Sequence, residues 1–208
     1  RDLRMSRGLG DVYKRQNIQT LDDLSGHTVS IGAEESGTER NATQILEFAG
    51  MPSSLVATKN LDYIEATKEL KAGDIDAFFC TAGLTTTVID ELSKECDIRL
   101  IPLTDTVISK MLESSLAYTS EVIPAGTYTG QTTDISTIGV KSVLITKADV
   151  SDDTIEQLTS LLFEKENELS YSNSLKLELT YDFATDDIPI PFHDGAKRYY
   201  KACGYSTN

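Results

Sequence analysis

The chain has 208 residues, with 19 Lys and Arg against 33 Asp and Glu, for a net charge of -14. That balance argues against nucleic-acid binding, which depends on clustered cations. A hydrophobic share of 39% is enough for a packed core, no apolar run is long enough to span a membrane, and the length suits one or two small α/β units.

Residues 1–16 stand apart. They carry Arg1, Arg4, Arg7, Lys14 and Arg15 against Asp2 and Asp11, with no sustained period and no apolar core of a signal peptide. They are expected to be a non-native leader. The next clear pattern is Val29-Ser30-Ile31, a short apolar run that reads as a strand and ends at Gly32. Ala42, Ile45, Leu46 and Ala49 then recur at helical spacing, which predicts a helix over residues 38–49.

Ser36, Gly37 and Thr38 fall at the start of that helix, where N–H groups are free and the helix dipole is positive. Two readings fit them. One is a plain helix cap. The other is an anion site, since glycine permits close approach to the backbone and the hydroxyls add donors.

The unit then repeats. Val56 lies in a second short apolar run, and Tyr63, Ala66, Thr67 and Leu70 form the next helical stripe. Gly73-Asp74 is a turn, and residues 75–80 read as a strand of nearly continuous apolar character. Thr81-Ala82-Gly83 is a second small-residue junction, followed by a helix on Leu84, Val88, Ile89 and Leu92 and a fourth strand over residues 98–103. Alternating strands and helices predict an α/β fold with a parallel sheet covered on both sides. Ligands of such sheets bind beyond the carboxyl ends of the strands. Both small-residue junctions fall at that edge, which favours the anion site over the cap.

Val107, Ile108, Met111 and Leu112 mark a further helix, and residues 118–123 read as extended. The run from Pro124 to Gly130 is rich in turn residues. Residues 135–146 read as one long strand. Ser151 is a fitting cap for a helix whose first turn carries Asp152 and Asp153 and whose apolar face is Ile155, Leu158, Leu161, Leu162 and Leu169. Residues 170–187 are polar and ambiguous. Pro189 and Pro191 impose an extended segment, and residues 194–203 are expected to form a terminal helix with Tyr199 and Tyr200 inward.

No catalytic constellation is present. The two histidines, His27 and His193, lie far apart in sequence, and no G-x-S-x-G, H-E-x-x-H or G-x-x-x-x-G-K-[ST] occurs. His193 beside Asp194 is expected to start a helix rather than to act as an acid–base pair. Cys80, Cys96 and Cys203 are odd in number, with no metal-ligand spacing. We therefore expect a binding protein, not an enzyme, with no cofactor and no metal. The rival is an enzyme on the same fold, for example one acting in cofactor biosynthesis. A transcription regulator's effector domain would need a helix-turn-helix, for which residues 1–16 are too short and irregular.

The stretch from Ile18 to Gly32, with its Asp22-Asp23-Leu24-Ser25-Gly26 core, resembles the entry into the second lobe of periplasmic solute-binding proteins. Ser36-Gly37-Thr38 with Asn41, the run Gly73-Asp74-Ile75-Asp76-Ala77-Phe78-Phe79, Thr81-Ala82-Gly83, Ile123-Pro124-Ala125-Gly126-Thr127-Tyr128, and Ile188-Pro189-Ile190-Pro191-Phe192-His193 resemble the TAXI family, the solute receptors of TRAP-type transporters. The order of these motifs over residues 17–205 carries the resemblance. It implies a periplasmic-binding-protein type II-like fold. One complete parallel-sheet lobe would span residues 17–134. Residues 135–208 would hold a hinge crossing and the C-terminal part of a first lobe that is otherwise missing upstream. It implies a small carboxylate ligand, a glutamate-like amino acid or a dicarboxylate, bound in an interlobe cleft by Ser36, Gly37, Thr38, Asn41, Thr81, Ala82 and Gly83, with Tyr128 near the ligand. It also implies a periplasmic or extracellular monomer, free or lipid-anchored, that delivers its solute to TRAP-type permease subunits.

Overall fold

A computed structural model describes residues 18–164 and 179–207 of the chain. The expected leader, residues 1–16, and much of the ambiguous stretch over residues 170–187 lie outside the described residues. The chain divides into two compact units. The first runs up to Ser114 and takes in Ser120–Gly139, and the second holds Ser115–Thr119 and the chain from Val140 onward.

The first unit is built on β1 (Thr28–Ser30), which pairs in parallel with β2 (Ala57–Lys59) on one side and β3 (Ala77–Phe78) on the other. Val29 stands opposite Thr58 and Ala77 and is fully buried. After β1 comes α1 (Gly37–Phe48), after β2 comes α2 (Tyr63–Ala72), and after β3 comes α3 (Thr87–Glu95). This α/β architecture with a parallel sheet is consistent with the expected periplasmic-binding-protein-like fold. Its core gathers Leu24, Val29, Ala42, Val56, Ala66 and Ile75. Burying each of the larger aliphatic side chains contributes roughly 1.5–3 kcal/mol.

The local chemistry explains the element ends. Asp62 accepts from the Glu65 N–H at 2.8 Å while the Glu65 carboxylate accepts from the Asp62 N–H at 3.3 Å, a reciprocal cap that starts α2. Gly73 ends the helix with φ 87°, a left-handed geometry that glycine adopts without strain. α4 (Asp105–Ser114) lies against α1, and Lys110 Nζ donates to the Phe48 carbonyl at 3.1 Å, at the end of α1 where carbonyls lack partners.

Three expectations are corrected here. Residues 98–103 form no strand. Their apolar side chains are partly buried, but the Leu103 N–H alone reaches a strand carbonyl, Ser136 O at 2.9 Å. The strand expected over 75–80 is confined to Ala77–Phe78, although Asp76 N–H and Phe79 N–H extend its ladder to Thr28 O and Ser30 O, each at 2.8 Å. Among the described residues the sheet of this unit therefore has three strands, and β2, with Ala57 and Thr58 exposed, is not covered on both faces.

β4 (Tyr118–Ile123) and β5 (Ile135–Val140) form a separate two-stranded sheet. The expected strand over 135–146 stops at Val140. A strand persists only while a ladder satisfies its backbone, and residues 141–147 are in no strand, with Val143, Leu144 and Ile145 exposed.

The second unit contains α5 (Asp152–Glu164), α6 (Tyr181–Thr185) and α7 (Asp194–Ala202). Ser151 Oγ accepts from the Thr154 N–H at 3.2 Å at the start of α5. His193 is the N-cap of α7, with Nδ1 accepting from the Gly195 N–H at 3.1 Å. Phe163 stacks on Tyr181 at 4.4 Å between centroids and meets Tyr200 edge-on at 6.0 Å. Tyr200 is buried as expected, and Tyr199 is half-buried, 3.2 Å from the Tyr181 hydroxyl. The starts of α5 and α7 touch through Gly195, whose missing Cβ would collide with the Asp152 carbonyl.

Gly195→Ala is expected to cost about 1–3 kcal/mol, the usual range for overpacking against fixed backbone. Urea unfolding of the variant checks this. A midpoint equal to that of the parent chain would show that the two helix starts have room to separate.

Candidate functional site

Because β1 and β3 are parallel neighbours, the loops that leave their carboxyl ends lie at one edge of the sheet. The β1–α1 loop carries Gly32 to Ser36 and the β3–α3 loop carries Phe79 to Thr86. Gly32 has φ 101°, and a Cβ there would lie 2.8 Å from the Thr38 side chain. Only glycine lets the loop turn this tightly over the first turn of α1.

Ser36 is the N-cap of α1, its Oγ accepting from the Glu39 N–H at 3.1 Å. The hydroxyl proton of Ser36 is not used in that bond. Gly37 and Thr38 begin the helix, and their N–H groups donate to no protein group among the described residues. The cap and a free-donor first turn thus coexist. A groove of about 500 Å³ opens beside them, lined by Glu35, Ser36, Gly37, Arg40, Thr43 and Gln44, with Glu39 also at its wall.

Thr38 does not line that groove. It is buried, and its Oγ1 lies 2.8 Å from the hydroxyl of Tyr63, the first residue of α2. The same hydroxyl donates to the Thr81 carbonyl at 2.9 Å and accepts from the Thr81 N–H at 3.1 Å. A phenol has one proton, and the carbonyl can only accept. Thr38 must therefore be the donor to Tyr63. Asn41 Nδ2 adds a bond to Thr81 Oγ1 at 3.3 Å. Thr38, Asn41 and Thr81, proposed from sequence, are brought together, and Tyr63 is the group that joins them.

Ala82 and Gly83 are exposed in the β3–α3 loop. They are not in the first turn of a helix, because α3 begins at Thr87 and not at Leu84. Tyr128 holds this segment instead. Its hydroxyl donates to the Leu84 carbonyl at 2.5 Å and accepts from the Thr86 N–H at 3.3 Å, so both groups are partnered by Tyr128 in the segment before α3. Tyr128 is 6% exposed, and burial is the main cause that pushes its phenol above the ordinary range. It anchors the loop that carries Thr81, Ala82 and Gly83. Burial likewise pushes the Cys80 thiol up to about 11, so Cys80 is protonated at neutral pH.

The β1–α1 loop has its own fastening. Glu39 accepts from the Glu35 N–H at 2.6 Å and from Asn60 Nδ2 at 2.7 Å, and Asn60 Nδ2 also reaches the Gly32 carbonyl at 3.1 Å. Glu35 holds φ 61°, a left-handed conformation costly for a residue with a Cβ. The Glu39 carboxylate thus sits at the positive end of α1 as a built-in counter-charge.

The sequence matches the family model described as the NMT1-like family over residues 9–204. The chain belongs to the NMT1-like family. This family is periplasmic-binding-protein-like, and membership makes the chain a solute-binding receptor in general kind. In this NMT1-like chain the residues that sequence reasoning missed are Asn60, Tyr63 and Glu39. Tyr63 was legible as part of an apolar stripe. The signal that it is more than that is its position, one residue after the cap of a helix that follows a parallel strand, which places it at the carboxyl edge of the sheet.

Gly32→Ala should destabilise the NMT1-like chain by about 1–3 kcal/mol, from a positive φ and a collision with the Thr38 side chain together. Gly37→Ala, where a Cβ would meet nothing within 4 Å, should stay within about half a kcal/mol of the parent. Urea midpoints of the two variants decide it, and equal values would mean that the β1–α1 turn is not constrained as described.

Proposed function

We propose that this chain serves an extracytoplasmic receptor that captures a small carboxylate, a glutamate-like amino acid or a dicarboxylate, and delivers it to a TRAP-type permease. The observation that carries the reading is the pair of unengaged N–H groups on Gly37 and Thr38, at the carboxyl edge of a parallel sheet in a family of solute-binding type. A carboxylate oxygen there would accept from these N–H groups, and the second oxygen from the Ser36 hydroxyl. Each charge-assisted bond would contribute roughly 1.5–3 kcal/mol. Arg40, in the wall of the same groove, adds a cation. Asn41 and the loop of Thr81, Ala82 and Gly83 border the site, and Tyr128 supports that loop from beneath. The role is one of binding, with no chemical step, and it belongs outside the cytoplasm.

Calorimetric titration tests this with L-glutamate, glutarate and the uncharged glutaramide. Heat of binding is expected with the two carboxylates and not with the amide. At about 100 times its dissociation constant a bound carboxylate should add roughly 2.7 kcal/mol of stability. Ser36→Ala should weaken binding by about 1 kcal/mol, the worth of one hydrogen bond. Binding of the amide alone, or a Ser36→Ala chain that binds as the parent does, would remove the carboxylate from the first turn of α1.

A further inference from the structure

Tyr63 has a role that its position in an apolar stripe conceals. Its hydroxyl is used to capacity: one proton given to the Thr81 carbonyl, and two bonds accepted, from the Thr81 N–H and from Thr38 Oγ1. Three elements meet on that oxygen: the first turn of α1, the first residue of α2 and the β3–α3 loop. The loop residue held this way is bound through its backbone on both sides, by N–H and by C=O, so its position does not depend on its own side chain.

We propose that Tyr63 is the positioning residue of the solute site. This rests on the reading of these strand ends as that site. The hydroxyl locks the loop carrying Thr81, Ala82 and Gly83 at a fixed spacing from the Gly37 and Thr38 N–H groups. It also fixes the direction of hydrogen bonding. Thr38 Oγ1 has given its proton to Tyr63 and can offer a solute only lone pairs. Carboxylate oxygens are thereby left to the backbone of α1 and to Ser36, and any contact a solute makes with Thr38 Oγ1 must come from an N–H or O–H of the solute. A site whose parts are held before the solute arrives avoids the cost of ordering them on binding.

The test compares the parent chain with Tyr63→Phe and Thr38→Val, well below the melting temperature of all three. Tyr63→Phe keeps the ring and removes only the lock. Its Thr81 amide should exchange at least about tenfold faster, since it loses its acceptor, while Val29 and Ile31 keep their protection. Its affinity for L-glutamate, the probe used, should fall by about tenfold or more. Thr38→Val leaves both bonds from Tyr63 to Thr81 in place and cuts only the tie to α1, so Thr81 exchange should stay within about threefold of the parent while glutamate affinity falls by more than about threefold. Unchanged Thr81 exchange in Tyr63→Phe overturns the lock. Faster exchange with unchanged affinity reduces Tyr63 to a purely structural role and overturns the positioning. A parent chain that binds no glutamate overturns the solute reading on which the positioning rests, whereas the exchange result still decides the lock.

Discussion

The first unit depends on one constraint, the pairing of β1 in parallel with a strand on each side. Val29 fixes the register, standing opposite Thr58 and Ala77, and it is fully buried. Parallel neighbours cannot be joined by a tight turn, so each must be followed by a crossover, here a helix. Every such helix then starts from the same edge of the sheet. The first turn of α1, the start of α2 at Tyr63 and the loop of Thr81 are neighbours for that reason alone. Hydrogen bonds between residues as distant in sequence as Asn41 and Thr81 follow from the sheet and need no further cause.

Electrostatics divides into a global and a local part. The chain is strongly acidic, yet charges spread over its surface are screened within about 8 Å at physiological salt. What a solute meets at α1 is set by the first turn: two backbone donors, the Ser36 hydroxyl, Arg40, and the carboxylate of Glu39. Glu39 opposes an anion by its charge, but it also holds the loop, through Glu35 N–H and Asn60, in the shape that leaves Gly37 and Thr38 unengaged. In the proposed site the same residue would limit affinity while it supplies geometry. A solute carrying both a carboxylate and a positive group suits such a mixture better than a simple dianion.

The helices were legible because their signals are local. The period of Ala42, Ile45 and Leu46 places α1 within one residue of its observed span, Gly37–Phe48. The stripe of Tyr63, Ala66, Thr67 and Leu70 marks α2, and Ser151 announces the start of α5. Strands were less legible, since a strand exists only where a partner stands beside it. Residues 98–103 have the apolar character of a strand and no ladder, and the run from 141 to 146 keeps its apolar side chains but is in no strand. At the candidate site the sequence located Ser36, Gly37, Thr38, Asn41 and Thr81. It could not see that Tyr63 binds three of their groups at once, nor that Tyr128 pins the Leu84 carbonyl, because both facts arise from contacts across 18 to 44 positions of sequence.

The central claim is that an anionic solute docks on the first turn of α1. Amide chemical shifts of the isotopically labelled chain, followed during addition of L-glutamate, test it most directly. The account predicts saturable shifts that are largest at the Gly37 and Thr38 amides, with smaller ones at Thr81 through the Tyr63 hydroxyl. Saturable shifts confined to other parts of the chain, with Gly37 and Thr38 unmoved, would contradict it.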